Sequence, residues 1–169
     1  MTYTTLLEET LEAWAYTRRG VIDELRNLPA SGLDRRPWPK GRTATELALH
    51  LVDMGLMMAG ELSRPDGDFT RKPFPRLIRA YAKGISRRPS RAALLKMLQT
   101  THARAERQIR RAGELHMLQY ITRFDGRPGT RLAWMQHAIA HEEYHRGQLA
   151  LYARLAGRTP ALTKRILGG

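Results

Sequence analysis

The chain has 169 residues, 42% of them hydrophobic and 27% charged, which suits one ordinary globular core and excludes a disordered chain. It contains no cysteine, so disulfides, thiolate metal sites and cysteine nucleophiles are excluded, and His, Asp and Glu are the metal-ligand types left. No stretch approaches the ~20 uncharged apolar residues of a membrane span, and the unusual quantity is a formal net charge of +13.

The amino-terminal run MTYTTLLEETLEAW carries acids where an export signal would carry basic residues, so a cytoplasmic protein is expected. From Thr4 to Leu28, the residues Leu7, Leu11, Trp14, Val21, Leu25 and Leu28 fall on one helical stripe. Pro29 ends that helix, since it disfavours the helical conformation at the residue before it. A Pro- and Gly-rich loop, SGLDRRPWPKGR, follows. Thr43 and Glu46 have the spacing of a capping box, which starts a second helix with an apolar face of Leu47, Leu51, Met54 and Met58. His50 lies beside that face. The turn Arg64-Pro65-Asp66-Gly67 stops it.

Residues 73–86 are read as a short extra helix. A third long helix begins at the cap Ser90 and runs to Ala112, where Gly113 stops it. Its stripe is Leu94, Leu98, Thr101, Ala105 and Ile109. Residues 69–105 hold ten Lys and Arg and no acid. That block suits nucleic acid, an anionic small molecule or an acidic partner, or is the plain surface of an arginine-rich chain; no interleaved aromatic motif accompanies it. A linker containing Asp125-Gly126-Arg127-Pro128-Gly129 leads to a fourth helix, Thr130 to Ala156, ended by Gly157. The residues after it are expected to be a partly mobile tail. The expectation is an all-α antiparallel four-helix bundle: one domain over residues 1–160, with 161–169 as a carboxy-terminal tail. No alternating strand pattern interrupts it.

The chemistry is concentrated on the fourth helix. Its core stripe reads Trp134, Ala138, His141, His145, Gln148, Tyr152 and Leu155, so two histidines and a glutamine stand where a bundle wants leucine. Buried without partners, such groups cost roughly 1–3 kcal/mol each. An i, i+4 pair of histidines can chelate one ion, and His50 on the second helix supplies a third nitrogen. The competing reading of an i, i+4 histidine pair is a solvated surface pair. Three nitrogens leave a coordination position open, as catalytic rather than structural sites do. His137, on the edge of the stripe, is a fourth ligand, a supporting group or a satisfied core histidine. His102 is read as a helix-surface residue and His116 as a loop residue. Glu142 and Glu143 point away from the histidines by spacing and are expected in solvent, near Arg146. Gly147, costly in mid-helix, is read as a close approach of another backbone.

The run His141-Glu142-Glu143-Tyr144-His145-Arg146-Gly147-Gln148, with a helical stretch ending in Gly157-Arg158-Thr159-Pro160, resembles the last helix of the DinB/YfiT-like proteins. Leu33-Asp34-Arg35-Arg36-Pro37 and Arg42 to Leu51 are similar to that family's entry into its second helix and its first histidine. The resemblance runs from the first helix to Pro160, with residues 64–130 the least characteristic part. It implies the DinB bundle topology, a zinc or nickel ion on His50, His141 and His145, and a homodimer. It also implies chemistry such as bacillithiol S-transfer or mycothiol-dependent isomerisation. The functional expectation is a divalent-metal-dependent enzyme that joins a small-molecule thiol to an electrophilic substrate, or a metal-dependent hydrolase on the same ligands. The alternative is a non-enzymatic metal-binding stress-response protein whose basic surface contacts nucleic acid or a partner. No membrane partner is expected.

Overall fold

Every long helix begins at a side chain that occupies its free N–H groups. In the computed structural model, which describes residues 4–168, Thr5 caps α1 (Leu6–Asn27) by accepting from the N–H of Glu8. Thr43 and Glu46 form the reciprocal capping box of α2 (Ala44–Leu62). Ser90 caps α4 (Arg91–Ala112), and Thr130 caps α6 (Arg131–Leu155). Shorter elements lie between them: α3 (Phe74–Tyr81), the one-turn α5 (Glu114–Met117), and strands β1 (Tyr120–Thr122) and β2 (Pro128–Thr130).

The four long helices form the bundle. α1 packs chiefly on α6 and α2 on α4, while α2–α6 and α1–α4 contacts close the ring. The order round the bundle is therefore α1, α6, α2, α4. This ordering makes α2 and α6, which carry the histidines, side-by-side neighbours.

Two apolar cores fill the bundle. One gathers Val21, Leu25, Leu47, Leu51, Leu98 and Leu149; the other gathers Leu11, Trp14, Met57, Leu62, Ile109 and Met135. Between them lies a stratum of buried polar side chains: Arg18 from α1, His102 from α4 and Glu142 from α6. Gly55 on α2 leaves room there, since a Cβ would stand 3.1 Å from Arg18 Nη2.

Several elements depart from the sequence expectation. The linker before α6 is an antiparallel hairpin, with Ile121 buried and opposite Gly129. The expected tail forms α7 (Ala161–Ile166), which docks on α1: the buried carboxylate of Glu24 accepts from the N–H groups of Ala161 and Leu162 at 2.9 and 3.2 Å. α2 is the most buried helix, with Met57 and Met58 inside the bundle. On α4 the buried position is His102 rather than Thr101. His116 sits in α5, its ring hydrogen-bonded to the carbonyl of Leu62 at 2.9 Å. The phase of α6 also differs. Its inward residues include Arg131, Met135, Ile139, Glu142, Arg146, Leu149 and Tyr152, with Trp134 and Ala138 half-buried and Leu155 exposed. Gly147 meets nothing on its outer side. No described helix is long and apolar enough to cross a membrane.

Candidate metal centre

His50 sits two turns into α2, and His141 and His145 stand one turn apart on the adjacent α6. The structure brings all three rings together. His50 Nε2 and His145 Nε2 each lie 3.1 Å from His141 Nε2. Among the described residues, these three form the group of His and acidic side chains whose ligand atoms lie within 4.8 Å of one another. The remaining histidines stay outside it. His137 is exposed with its ring 4.5 Å from that of Trp134, while His102 packs edge-on against Trp14.

The spacing fits an ion. Two Zn–N bonds of about 2.0–2.1 Å at a tetrahedral angle place their nitrogens roughly 3.3 Å apart. His145 Nδ1 stands 2.7 Å from Gln148 Oε1, an atom that can only accept, so Nδ1 carries the proton and Nε2 presents a lone pair inward. His141 Nε2 can donate to only one of its two neighbours at a time. One close nitrogen pair is therefore left without a shared proton, an arrangement that a cation resolves and the protein alone does not.

The surroundings favour the neutral ring. Burial, then Arg42, then the neighbouring rings push His50 down to about 3. Burial and His145 push His141 down to about 4. Burial also lowers His145, against the opposing pull of Gln148. Neutral imidazole is the form that binds a metal. Arg42 acts on all three rings from the loop before α2, which is fixed by Tyr152 Oη donating to the Arg42 carbonyl at 2.8 Å.

One turn of α6 holds a second cluster that sequence reasoning placed in solvent. Glu142 is 2% exposed. It accepts from Trp14 Nε1 at 2.7 Å and from Arg18 Nε at 2.9 Å, and a further bond from Arg18 Nη2 completes a bidentate pair. The remaining Arg18 donors reach the carbonyls of Leu51 and Leu98. Glu143, half-buried, accepts from Arg146 and Thr17 as its position beside Arg146 suggests. The partners of Glu142 are 124 and 128 residues away along the chain, so no local pattern announces them.

On the α3 side of His141 lies an apolar cavity of about 130 Å³, lined chiefly by Met54, Met58, Phe74, Phe124, Trp134 and Ala138. The aromatic residues that wall it were visible in the sequence, but Phe74 and Phe124 belong to segments outside the long helices and carry no periodic signal.

Comparison with known proteins gives a consistent frame. The family model described as the DinB superfamily matches residues 10–149. No curated protein matches the sequence. Among solved structures, the chain is similar to the DinB-like protein YjoA of Bacillus subtilis, with TM-score 0.68 and 18% identity over 89% of this chain and 93% of that one. It is also similar to YfiT from Bacillus subtilis, described as a probable metal-dependent hydrolase with an unusual four-helix bundle topology. There the TM-score is 0.70 and the identity 14%, over 94% of this chain and 92% of that one. A third likeness is to a variant of the mycothiol-dependent maleylpyruvate isomerase, with TM-score 0.63 and 14% identity over 88% of this chain and 63% of that one. At these identities the structural likeness speaks for the fold.

Proposed function

The chain belongs to the DinB superfamily, and on that premise we propose that it is a divalent-metal-dependent enzyme that transfers a small-molecule thiol to an electrophilic substrate. His50, His141 and His145 hold the ion, with zinc or nickel the metals that suit imidazole nitrogen. The observation that carries this reading is the convergence of three Nε2 atoms, those of His50 and His145 each 3.1 Å from that of His141, with the His145 tautomer fixed by Gln148.

Held by the three neutral rings of His50, His141 and His145, a divalent ion would keep its charge and would supply Lewis acidity that lowers the pKa of a thiol at the centre. The protein's own residues supply the rest. Arg42 is exposed and has no carboxylate partner among the described residues, so it is placed to bind the carboxylate of an anionic thiol. The cavity beside His141 gives one side of the centre an apolar wall. In the transfer, the thiol proton passes to solvent and a sulfur–carbon bond forms. The leaving group departs with its electron pair.

Hydrolysis on the same ligands is the second enzymatic reading, supported by the description of YfiT. The name of the mycothiol-dependent relative favours the thiol. A nucleic-acid role for residues 69–105 draws less support. Arg71 pairs with Glu61, Arg87 with Asp53, and Arg91 binds the carbonyls of Leu25 and Arg26, so part of that block serves the fold. Homodimerisation belongs to the family-based reading.

The test is metal analysis of untagged protein, followed by consumption of cysteine in the presence of 1-chloro-2,4-dinitrobenzene. The metal-loaded protein is expected to accelerate the reaction, and His50→Ala to lose both metal and acceleration. Equal rates with and without metal would sink the thiol-transfer reading.

A further inference from the structure

The cavity beside His141 has the construction of a binding site rather than of a packing fault. Its floor comes from two bundle helices, through Met54 and Met58 of α2 and Ala138 of α6. Its roof comes from two segments outside the bundle. The loop before α3 and the β1 strand are stitched together by Phe69 N–H donating to the Thr122 carbonyl at 2.9 Å and Thr122 N–H donating to the Gly67 carbonyl at 2.6 Å. That stitching sets Phe74 and Phe124 edge to face with centroids 4.4 Å apart, and Phe124 then stands 5.9 Å from Trp134. The Arg123 guanidinium lies over the Trp134 ring, 5.1 Å from its centroid.

The lining has little polar chemistry to offer a ligand. Glu142 borders the cavity, yet its oxygens are taken up by Arg18 and Trp14. His137 and His141 are the other polar residues of the wall. The remaining wall is thioether, methyl and aromatic face, with the unpartnered, buried indole N–H of Trp134 as its one further polar group; such surfaces reward an apolar, polarisable occupant and penalise a charged one. The volume sets the scale: an apolar cavity of about 150 Å³ takes up benzene, and this one is about 130 Å³ and open at its mouth.

We propose that this cavity seats the apolar group of the electrophilic substrate, a moiety of the size and chemistry of a phenyl ring or a short branched alkyl chain, with its reacting carbon directed toward His141. This rests on the reading of the triad as a reaction centre. It adds what that reading lacks, the side of the centre from which the electrophile enters and the class of group it carries. The anionic thiol then occupies the Arg42 side and the electrophile the aromatic side, so the two reactants approach the triad from different directions.

Fluorobenzene observed by fluorine NMR is the probe, with metal-free protein so that the readout does not depend on turnover. Saturable binding to the wild type is expected. Ala138→Phe fills the cavity from α6 and Met54→Phe fills it from α2, and each is expected to weaken binding more than about tenfold. Circular dichroism on both variants establishes that the bundle is intact. His50→Ala is expected to bind the probe like the wild type, because His50 does not line the cavity. Absence of saturable binding to the wild type, or wild-type binding by either folded cavity-filling variant, overturns the proposal. Probe binding that is blocked by both fillings, in a protein that takes up no zinc or nickel when metal is supplied in a separate titration, would uphold the cavity while removing the metal reading.

Discussion

His141 and Glu142 are neighbours on α6, yet the two polar clusters they join are buried in opposite ways. The Glu142 cluster is closed: the carboxylate is matched by Trp14 Nε1 and a bidentate Arg18, whose other donors end on backbone carbonyls. The His141 cluster is open: three ring nitrogens face one another with too few protons to share. A closed cluster fixes the register of α1, α2, α4 and α6 and asks for nothing from outside. An open one has room in its bonding for a cation. Burial of polar groups therefore does not by itself mark a functional site; unfilled bonding capacity on several groups that converge on one point does.

The comparison breaks most visibly at the closed cluster. Glu142→Ala strands the Arg18 guanidinium in the core, and removal of one partner of a buried pair costs about 3–5 kcal/mol. The double variant Arg18→Met, Glu142→Leu is expected to recover most of that loss, because both charges leave together. Urea denaturation measures both. A loss below about 1 kcal/mol in the single variant would class the pair with solvent-exposed ones.

His102 is the one member of the polar stratum that the closed cluster leaves unsatisfied, since neither of its buried ring nitrogens has a partner. Burial, then Arg18, push it down to about 4, with Glu142 and Glu106 opposing and Arg19 adding to the fall. The unfolded chain binds this proton near pH 6.5 and the folded chain only near 4. Stability is thus present above pH 6.5 and drains away between there and pH 4, by about 3 kcal/mol for this group. The triad adds a slope of the same sign in metal-free protein, so the quantity to measure is the difference between wild type and His102→Leu across that window. Parallel stability curves would show that His102 is already protonated or solvated.

The boundaries of the long helices were legible because caps are local: Thr43 with Glu46, Ser90 and Gly113 each act within four residues. The triad was legible for a related reason. A spacing of four on α6 and a position beside the α2 stripe are enough to bring His50, His141 and His145 together once the two helices are neighbours. The phase of α6 was not legible. Arg131, Glu142 and Arg146 occupy inward positions, so the apolar pattern is weakest where the helix is most buried, and a search for apolar residues drifts toward Trp134 and Leu155. What makes those charges tolerable lies far away in the chain: Arg18 for Glu142, the Leu62 carbonyl for Arg131, and the space over Gly20 for Arg146. The hairpin escaped for another reason, since three-residue strands with a single buried side chain produce no alternation to detect.

A milder perturbation sharpens the open cluster. Gln148→Leu removes the acceptor that holds His145 in its Nδ1–H tautomer without removing any ligand. Loss of such a supporting bond costs about 10–100-fold in metal affinity. Zinc titration by calorimetry is expected to show that loss, with the melting temperature of the metal-free protein little changed. Unaltered affinity would mean that packing alone orients the ring.

Gly147 supplies the smallest effect and separates both clusters from the helix that carries them. It lies between Arg146 and Gln148 on the exposed back of α6, its φ is not positive, and a Cβ there would meet no atom within 4 Å. Neither close packing nor backbone conformation accounts for the glycine. Mid-helix glycine costs about 0.5–1 kcal/mol relative to alanine, chiefly through the entropy of the unfolded chain. Gly147→Ala should therefore stabilise the protein by about that amount in urea denaturation, while zinc affinity and fluorobenzene binding stay at wild-type values. If the alanine instead weakens zinc binding, local flexibility of α6 beside His145 contributes to the open cluster, and the division between a rigid closed site and a completed open one has to be redrawn along the helix backbone itself.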